Sequence, residues 1–320
     1  MISLRQIHEK YQTQDQCMEL LVSLRWPVGV CCPRCENDRV FKVKHRAWNW
    51  TCKSGKESID LSGKKTVCDK KNGYRFSPLV GTVFENTNYP LPVWFEVIYL
   101  ICQSKKGISA LQIQRMLVEN GRPTAYKTAF YICHRVRAML KNDDFSKLMG
   151  VVEADETYIG GKDRNRHWKK KSAQVRAAAG PQPLGESIGY GKVGVIGAIE
   201  RKGNVVCKII GDADAATCSG FVRQVVGDKV SLVATDEKQE YNYLGRGIRH
   251  EAVRHGSGEY VRGEVHTNNI ESFWSLLKRG IVGTYHNVSK DYLPLYLNEF
   301  SWRFNHRKDP DIFKAALAGC

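Results

Sequence analysis

No stretch of the chain approaches the roughly 18 continuous apolar residues that a membrane-spanning helix requires; the most apolar window, Leu91 to Cys102, is short and carries Glu96. The opening residues, MISLRQIHEK, hold no hydrophobic core of a secretory signal. Low-complexity blocks and internal repeats are also missing, which argues against a disordered chain or a solenoid. The chain therefore reads as a cytoplasmic protein without a membrane partner. In a reducing compartment its eleven cysteines are poor material for a disulfide framework, so some of them should bind metal.

Acid is in short supply. Asp and Glu number 33 against 49 Lys and Arg, a formal charge of +16 over 320 residues, and such an excess points to a polyanionic partner, nucleic acid first. With 42% hydrophobic residues the chain can still bury a sizeable core, and its length suits about two domains.

Four regions follow one another. Residues 1–28 have apolar positions near helical spacing and predict one helix ending at Pro27 and Gly29. Residues 29–80 hold Cys31, Cys32, Cys35, Cys52 and Cys68 among glycines and lysines, with little helical period, as in a small strand-and-turn module built on an ion. Residues 81–148 become helical again: LPVWFEVIYLICQS, then LQIQRMLVEN after Ser109, then YKTAFYICHRVRAML after Gly121 and Pro123, the pattern of a helix-turn-helix. From 149 to 312 the segments VVEADETYIGG, KVGVIGAIERKG, NVVCKIIGD and SLVATDE read as strands, DAATCSGFVRQVV as a helix between the last two, and a long helix begins near Thr267. That order makes an α/β mixed sheet covered by helices. A basic insertion at 162–187, containing Lys169, Lys170 and Lys171, has no apolar period and is expected to contact DNA.

Cys32-Pro-Arg-Cys35 is a CxxC knuckle whose thiolates can converge on a tetrahedral, structural Zn2+. Cys52 and Cys68 would complete it, although 15 residues separate them, and Cys31 and His45 are alternative ligands. Asp155, Asp236 and Glu271 form a second set, carboxylates at the ends of apolar strand runs or at a helix start. Metal-dependent phosphoryl transfer needs such hard oxygen ligands aimed at one spot from different elements. Lys278 lies seven residues beyond Glu271, two helical turns, and so on the same face. Three histidines, His266, His286 and His306, are expected to be structural or to touch DNA, and the aromatics Phe273, Trp274, Tyr296, Phe300, Trp302 and Phe304 to be core.

The words PLVGTVFENTNYPLPVWFEVIYLI, GISALQIQRML, YKTAFYICHRVR, ADETYIGGK and HTNNIESFWSLLKRGIVGTYHNVSKDYLPLYLNEFSWRFNHR carry a resemblance. The sequence resembles DDE transposases of bacterial insertion sequences, in the group with an amino-terminal zinc ribbon and a ribonuclease-H-like catalytic domain, related to the Merlin elements. The resemblance implies catalytic Asp155, Asp236 and Glu271 on Mg2+ or Mn2+, with Lys278 as the associated basic residue that holds a nearby phosphate; relatives sometimes carry asparagine in the third place, which makes Asn268 and Asn269 the alternatives to Glu271. It also implies cleavage at the element's ends and strand transfer of the 3′-hydroxyl into target DNA. The ribbon and the 81–148 helices would bind the terminal repeats of double-stranded DNA, with Tyr126, Lys127 and Arg135 near a recognition helix, in a homodimer or larger assembly on paired ends, at the bacterial nucleoid. A nuclease of the same fold without joining, or an inactive DNA-binding protein, are the rival readings.

Overall fold

A computed structural model describes residues 2–319 except 60–62, 64, 142–146, 161–191, 239, 242, 243, 245, 246, 255, 257, 258 and 260. The basic insertion with Lys169, Lys170 and Lys171 lies outside the described residues. Two compact units form: one from the residues up to Ser104, Ala110–Leu140 and the stretch from Asp309 onward, the other from Lys105–Ser109 and Lys141–Lys308.

The first unit opens with two helices where one was expected, α1 (Leu4–Lys10) and α2 (Gln14–Arg25). The break has a local cause. Thr13 and Gln16 make a capping box, each side chain serving the other's backbone, and restart the helix after Tyr11. The ribbon follows as a three-stranded antiparallel sheet of β1 (Val40–Lys42), β2 (Trp50–Cys52) and β5 (Tyr74–Phe76), in the order β1-β2-β5. The long spacer between Cys52 and Cys68 contains a second ladder, β3 (Glu57–Ile59) paired with β4 (Lys65–Val67). Hydrogen bonds from Gly55 N–H to the Cys68 carbonyl (2.7 Å) and from Cys68 N–H to the Lys56 carbonyl (3.0 Å) extend that ladder down to the cysteine. The hairpin returns the chain to its starting point, so the spacer's length costs the knuckle nothing in geometry.

Three helices come next: α3 (Leu91–Gln103), α4 (Ala110–Glu119), which opens directly after Ser109, and α5 (Tyr126–Met139). Glu96, the charge inside the apolar α3, is fully buried and accepts from Asn120 Nδ2 (2.8 Å) and Arg122 Nη1 (3.3 Å). The end of the chain belongs here too. Its last helix, α9 (Ile312–Ala318), packs Phe313 edge-on against Phe95 of α3 with ring centroids 5.5 Å apart. The sequence placed the catalytic region up to 312, and the structure hands the residues from Asp309 to the helical unit.

The second unit is a five-stranded sheet in the order β10-β9-β6-β7-β8. Its strands are β6 (Leu148–Ile159), β7 (Val193–Glu200), β8 (Val205–Ile210), β9 (Val226–Asp236) and β10 (His250–Val253). β6, β7 and β8 are antiparallel; β9 runs parallel to both β6 and β10. This is the mixed sheet of the ribonuclease-H-like expectation. Alternation along the strands sends Val152, Ala154, Ile196 and Ala198 to one face, against Phe221, Val222 and Val225 of α6 (Ala215–Val225). Val195 and Ile199 go to the other face, with Ile270, Phe273, Trp274 and Leu277 of α7 (Asn268–Arg279) and Leu297 and Phe300 of α8 (Leu293–Asn305). A π-helical turn, Gly280–Tyr285, continues α7. The expected aromatic core largely holds: Phe273, Trp274, Tyr296, Phe300 and Trp302 are buried.

Candidate active site and zinc cluster

In the second unit, odd-numbered residues of β6 face α7, which puts Glu153 and Asp155 on the same side. Glu153 is fully buried and accepts from Asn269 N–H (2.8 Å), Asn269 Nδ2 (2.7 Å), Ile270 N–H (3.2 Å) and Arg201 Nε (2.8 Å). A carboxylate on the unpaired amides at the start of α7 satisfies the helix end and complements its dipole. Two residues along the strand, Asp155 Oδ2 accepts from Trp274 Nε1 at 3.1 Å. Two strand residues rise ~6.6 Å and four to five helical residues ~6–7.5 Å, so the two contacts fix α7 alongside β6 in a single register. Gly197 lies directly across from Asp155 in β7. A Cβ there would stand 2.6 Å from the Trp274 ring, so only glycine leaves room for the indole to reach the carboxylate.

Asp155 lines a cavity of ≈ 690 Å³ together with Glu156, Glu271, Trp274, Lys278 and Arg279. Three of the four residues expected to carry catalysis therefore share one cavity, and Glu271 accepts from Thr267 Oγ1 (2.8 Å) at its edge. Asp236 ends β9, the strand parallel to β6, and is linked to Asp155 through a residue the sequence reading missed. Lys238 Nζ lies 3.2 Å from Asp236 Oδ2 and 3.8 Å from Asp155 Oδ1, and it bonds Glu156 Oε2. A cation thus already sits among the carboxylates. The acids do not close to coordination distance as a set; among the described residues only the cysteines do so. Of the asparagine alternatives, Asn269 has its side chain on Glu153 and Asn268 is exposed.

Burial pushes Asp155 up, with Asp236 and Glu156 adding to the effect and Lys238 opposing it, to about 6. Burial also works against the Lys238 charge, but the hydrogen bond and charge of Glu156, with Asp236 and Asp155, prevail and hold its pKa above that of an ordinary lysine. The folded protein consequently binds more protons at Asp155 than the unfolded chain between pH ~4 and ~6, so stability falls as pH rises through that window and stays lower above it. Asp155→Asn should stabilise the protein at pH 7.5, without added Mg2+ or Mn2+, by up to about 3 kcal/mol. Urea melts at pH 7.5 and pH 4.5 check this: the gain should shrink at the lower pH, and a pH-independent difference would disprove the assignment.

In the first unit Cys32, Cys35, Cys52 and Cys68 bring their sulfurs within 4.8 Å of one another. Cys32 to Cys68 is 3.7 Å and Cys35 to Cys52 3.6 Å. Four thiolates ~2.3 Å from a tetrahedral zinc stand about 3.8 Å apart, so the cluster fits the ion. Burial raises Cys32 and Cys68; it also acts on Cys35, but hydrogen bonds from Ser54, the Asn37 amide and Cys52 outweigh it and bring Cys35 down to about 7. Cys31 and His45 stay outside the cluster. Trp26, Trp50 and Phe76 pack around it.

On α5, Tyr126 and Lys127 are exposed. Arg135 donates from both terminal nitrogens to the Glu85 carbonyl (3.2 Å each) and to Tyr131 Oη (3.0 Å). Of the histidines, His266 Nδ1 lies 3.2 Å from Glu153 Oε1, and His306 stacks on Trp302 at 4.0 Å.

Comparison with known proteins finds a family match in each unit. Residues 147–305 match the family described as ISXO2-like transposase domain, and residues 12–57 match the transposase zinc-ribbon domain that accompanies it. The chain carries an ISXO2-like transposase domain. Over 304 residues the transposase is also 29% identical to an uncharacterized protein in transposable element ISH50 of Halobacterium salinarum, covering 92% of this chain and 91% of the relative. No helix among the described residues of the transposase is long and apolar enough to cross a membrane.

Proposed function

We propose that this transposase cleaves DNA at the ends of an insertion sequence and joins the freed 3′-hydroxyl to target DNA by metal-dependent phosphoryl transfer. One observation carries the reading: Asp155 and Asp236, from adjacent parallel strands, converge on a single cation, and Asp155 shares its cavity with Glu271 and Lys278. Mg2+ or Mn2+, when bound, would polarise the scissile phosphate and lower the pKa of the attacking water. Asp155 and Asp236 would be its main ligands, with the Lys238 ammonium swinging away. Glu271 would complete the site and orient the nucleophile, first water and then the 3′-hydroxyl. Lys278 and Arg279, two turns along the same helix, would hold a neighbouring phosphate. Tyr126 and Lys127 would contact the terminal repeats directly, Arg135 would contribute by fixing α5 to the Glu85 segment, and Lys169, Lys170 and Lys171 would bind phosphates. We place the reaction at the bacterial nucleoid, on ends paired by at least a homodimer.

Labelled element ends incubated with plasmid target and Mg2+ test the reading. Joined products are expected; cleavage without joining would make the protein a nuclease, and binding alone an inactive relative.

The hydrogen bond from Trp274 to Asp155 should matter to the same reaction. Trp274→Phe keeps most of the packing and removes the donor, and joining should slow by about tenfold, the worth of a hydrogen bond to a charged group. Gly197→Ala, which pushes the indole away, should reproduce the defect and also lower the melting temperature. Parental rates for both variants would show that Asp155 needs no such support.

A further inference from the structure

We infer that the outer face of the ribbon sheet binds an unpaired DNA strand, stacking a base on Phe41 and holding the flanking phosphates with lysine and arginine. The strand period decides which residues are available. Trp50, Cys52 and Phe76 point inward to the zinc cluster, and the cross-strand register sets Phe41, Thr51 and Arg75 side by side on the opposite surface. Phe41 is 61% exposed there, an apolar ring that contributes nothing to the ribbon's core. It borders a cleft of ≈ 500 Å³ whose wall includes Lys42, Lys53, Lys71 and Arg75, with no carboxylate in the lining. None of these four cations is paired with an acid among the described residues, and all are exposed.

The cleft is also shaped in advance. Asp69 accepts the Lys71 N–H at 2.9 Å, and the Gly73 N–H returns to the Asp69 carbonyl at 3.0 Å, which fixes the turn carrying Lys71. Gly73 sits at φ 70°, and a Cβ there would meet the Thr51 methyl at 2.4 Å and the Lys53 stem at 3.1 Å. Glycine thus lets both side chains lie against the turn. An aromatic ring flanked by unpaired cations on an open sheet matches a strand whose bases are unstacked: every base presents a π-face, and the backbone supplies the negative charge. A duplex keeps its bases stacked on each other and offers Phe41 nothing to stack on.

The inference rests on the chain's handling of DNA as a transposase but uses none of the catalytic residues. Measured without added Mg2+ or Mn2+, its failure would leave the reading of Asp155, Asp236 and Glu271 untouched. The probe is a fluorescent oligothymidylate of about 12 nucleotides, with a duplex of equal length for comparison, titrated with the full zinc-loaded protein. Phe41→Ala should weaken single-strand binding by about tenfold and duplex binding by less than about twofold, while Phe41→Trp should restore it. Lys53→Gln with Lys71→Gln should flatten the log–log salt dependence on the single strand by about 1.4. Zinc content and melting temperature, unchanged across the variants, establish that the ribbon is intact. Unaltered single-strand affinity in Phe41→Ala, or an equal loss on duplex, would overturn the inference.

Discussion

Glu271→Gln is expected to reduce joining of element ends by about three orders of magnitude while leaving end binding intact. The substitution preserves the side chain's size and its reach to Thr267, which lies 2.8 Å away, and removes only the charge. A bound metal supplies several kcal/mol of transition-state stabilisation, which is lost where a neutral amide no longer helps to hold the ion, and each 1.36 kcal/mol is about tenfold in rate. Asn269→Ala is the informative companion. It removes a hydrogen bond to Glu153 at the start of α7, so it should lower stability and leave much of the chemistry. Gel quantification of joined product, with binding measured at fixed salt, separates the two. If Glu271→Gln joins at close to the parental rate and an alanine at Asn268 or Asn269 does not, the third position belongs to asparagine.

Loss of zinc should have the largest effect on stability. The ribbon packs two tryptophans, Trp26 and Trp50, and Phe76 around its four cysteines, a core too small to hold three-residue strands in place alone. Apparent binding energies of about 10–16 kcal/mol are typical of structural zinc in small modules, so removal amounts to local unfolding. The protein as isolated should contain about one equivalent of zinc. Cys52→Ser or Cys68→Ser should lose the ion and red-shift tryptophan emission as Trp26 and Trp50 reach water; Cys31→Ser should do neither. A metal-free protein with unshifted emission would contradict the assignment.

How far the sequence shows this architecture depends on the kind of information each element uses. Segments rich in valine, isoleucine and glycine mark β6, β7 and β9, because that composition is visible in one strand by itself. Asp236 does end its strand, whereas β6 runs on past Asp155 to Ile159. The CxxC knuckle was equally local. The remaining pieces are contacts between elements. Lys238 acquires its role only when β6 and β9 lie side by side, and Gly197 only when β7 sets it opposite Asp155. Trp274 reads as core and is buried, yet its indole N–H, the polar end of the ring, is what reaches Asp155. Glu153 gave a signal that could have been used: two residues before Asp155, it must share that residue's face, and a carboxylate on a covered face needs donors. The break between α1 and α2 was likewise written in Thr13-Gln14-Asp15-Gln16, a capping-box pattern. No period announces that the last helix joins the helical unit, since an apolar face does not name its partner.

If Asp155 and Asp236 ligate the divalent metal that drives joining, changing the chemistry of the ligand should change which metal supports the reaction. Asp155→Cys and Asp236→Cys replace a hard oxygen by a softer sulfur, which Mg2+ accepts poorly and Mn2+ tolerates better. The measurement is the yield of joined product from pre-cleaved ends, with each variant assayed in Mg2+ and in Mn2+. We expect no joining in Mg2+ and partial recovery in Mn2+ for both variants. Joining in Mg2+ at the parental rate would mean that neither aspartate is a metal ligand.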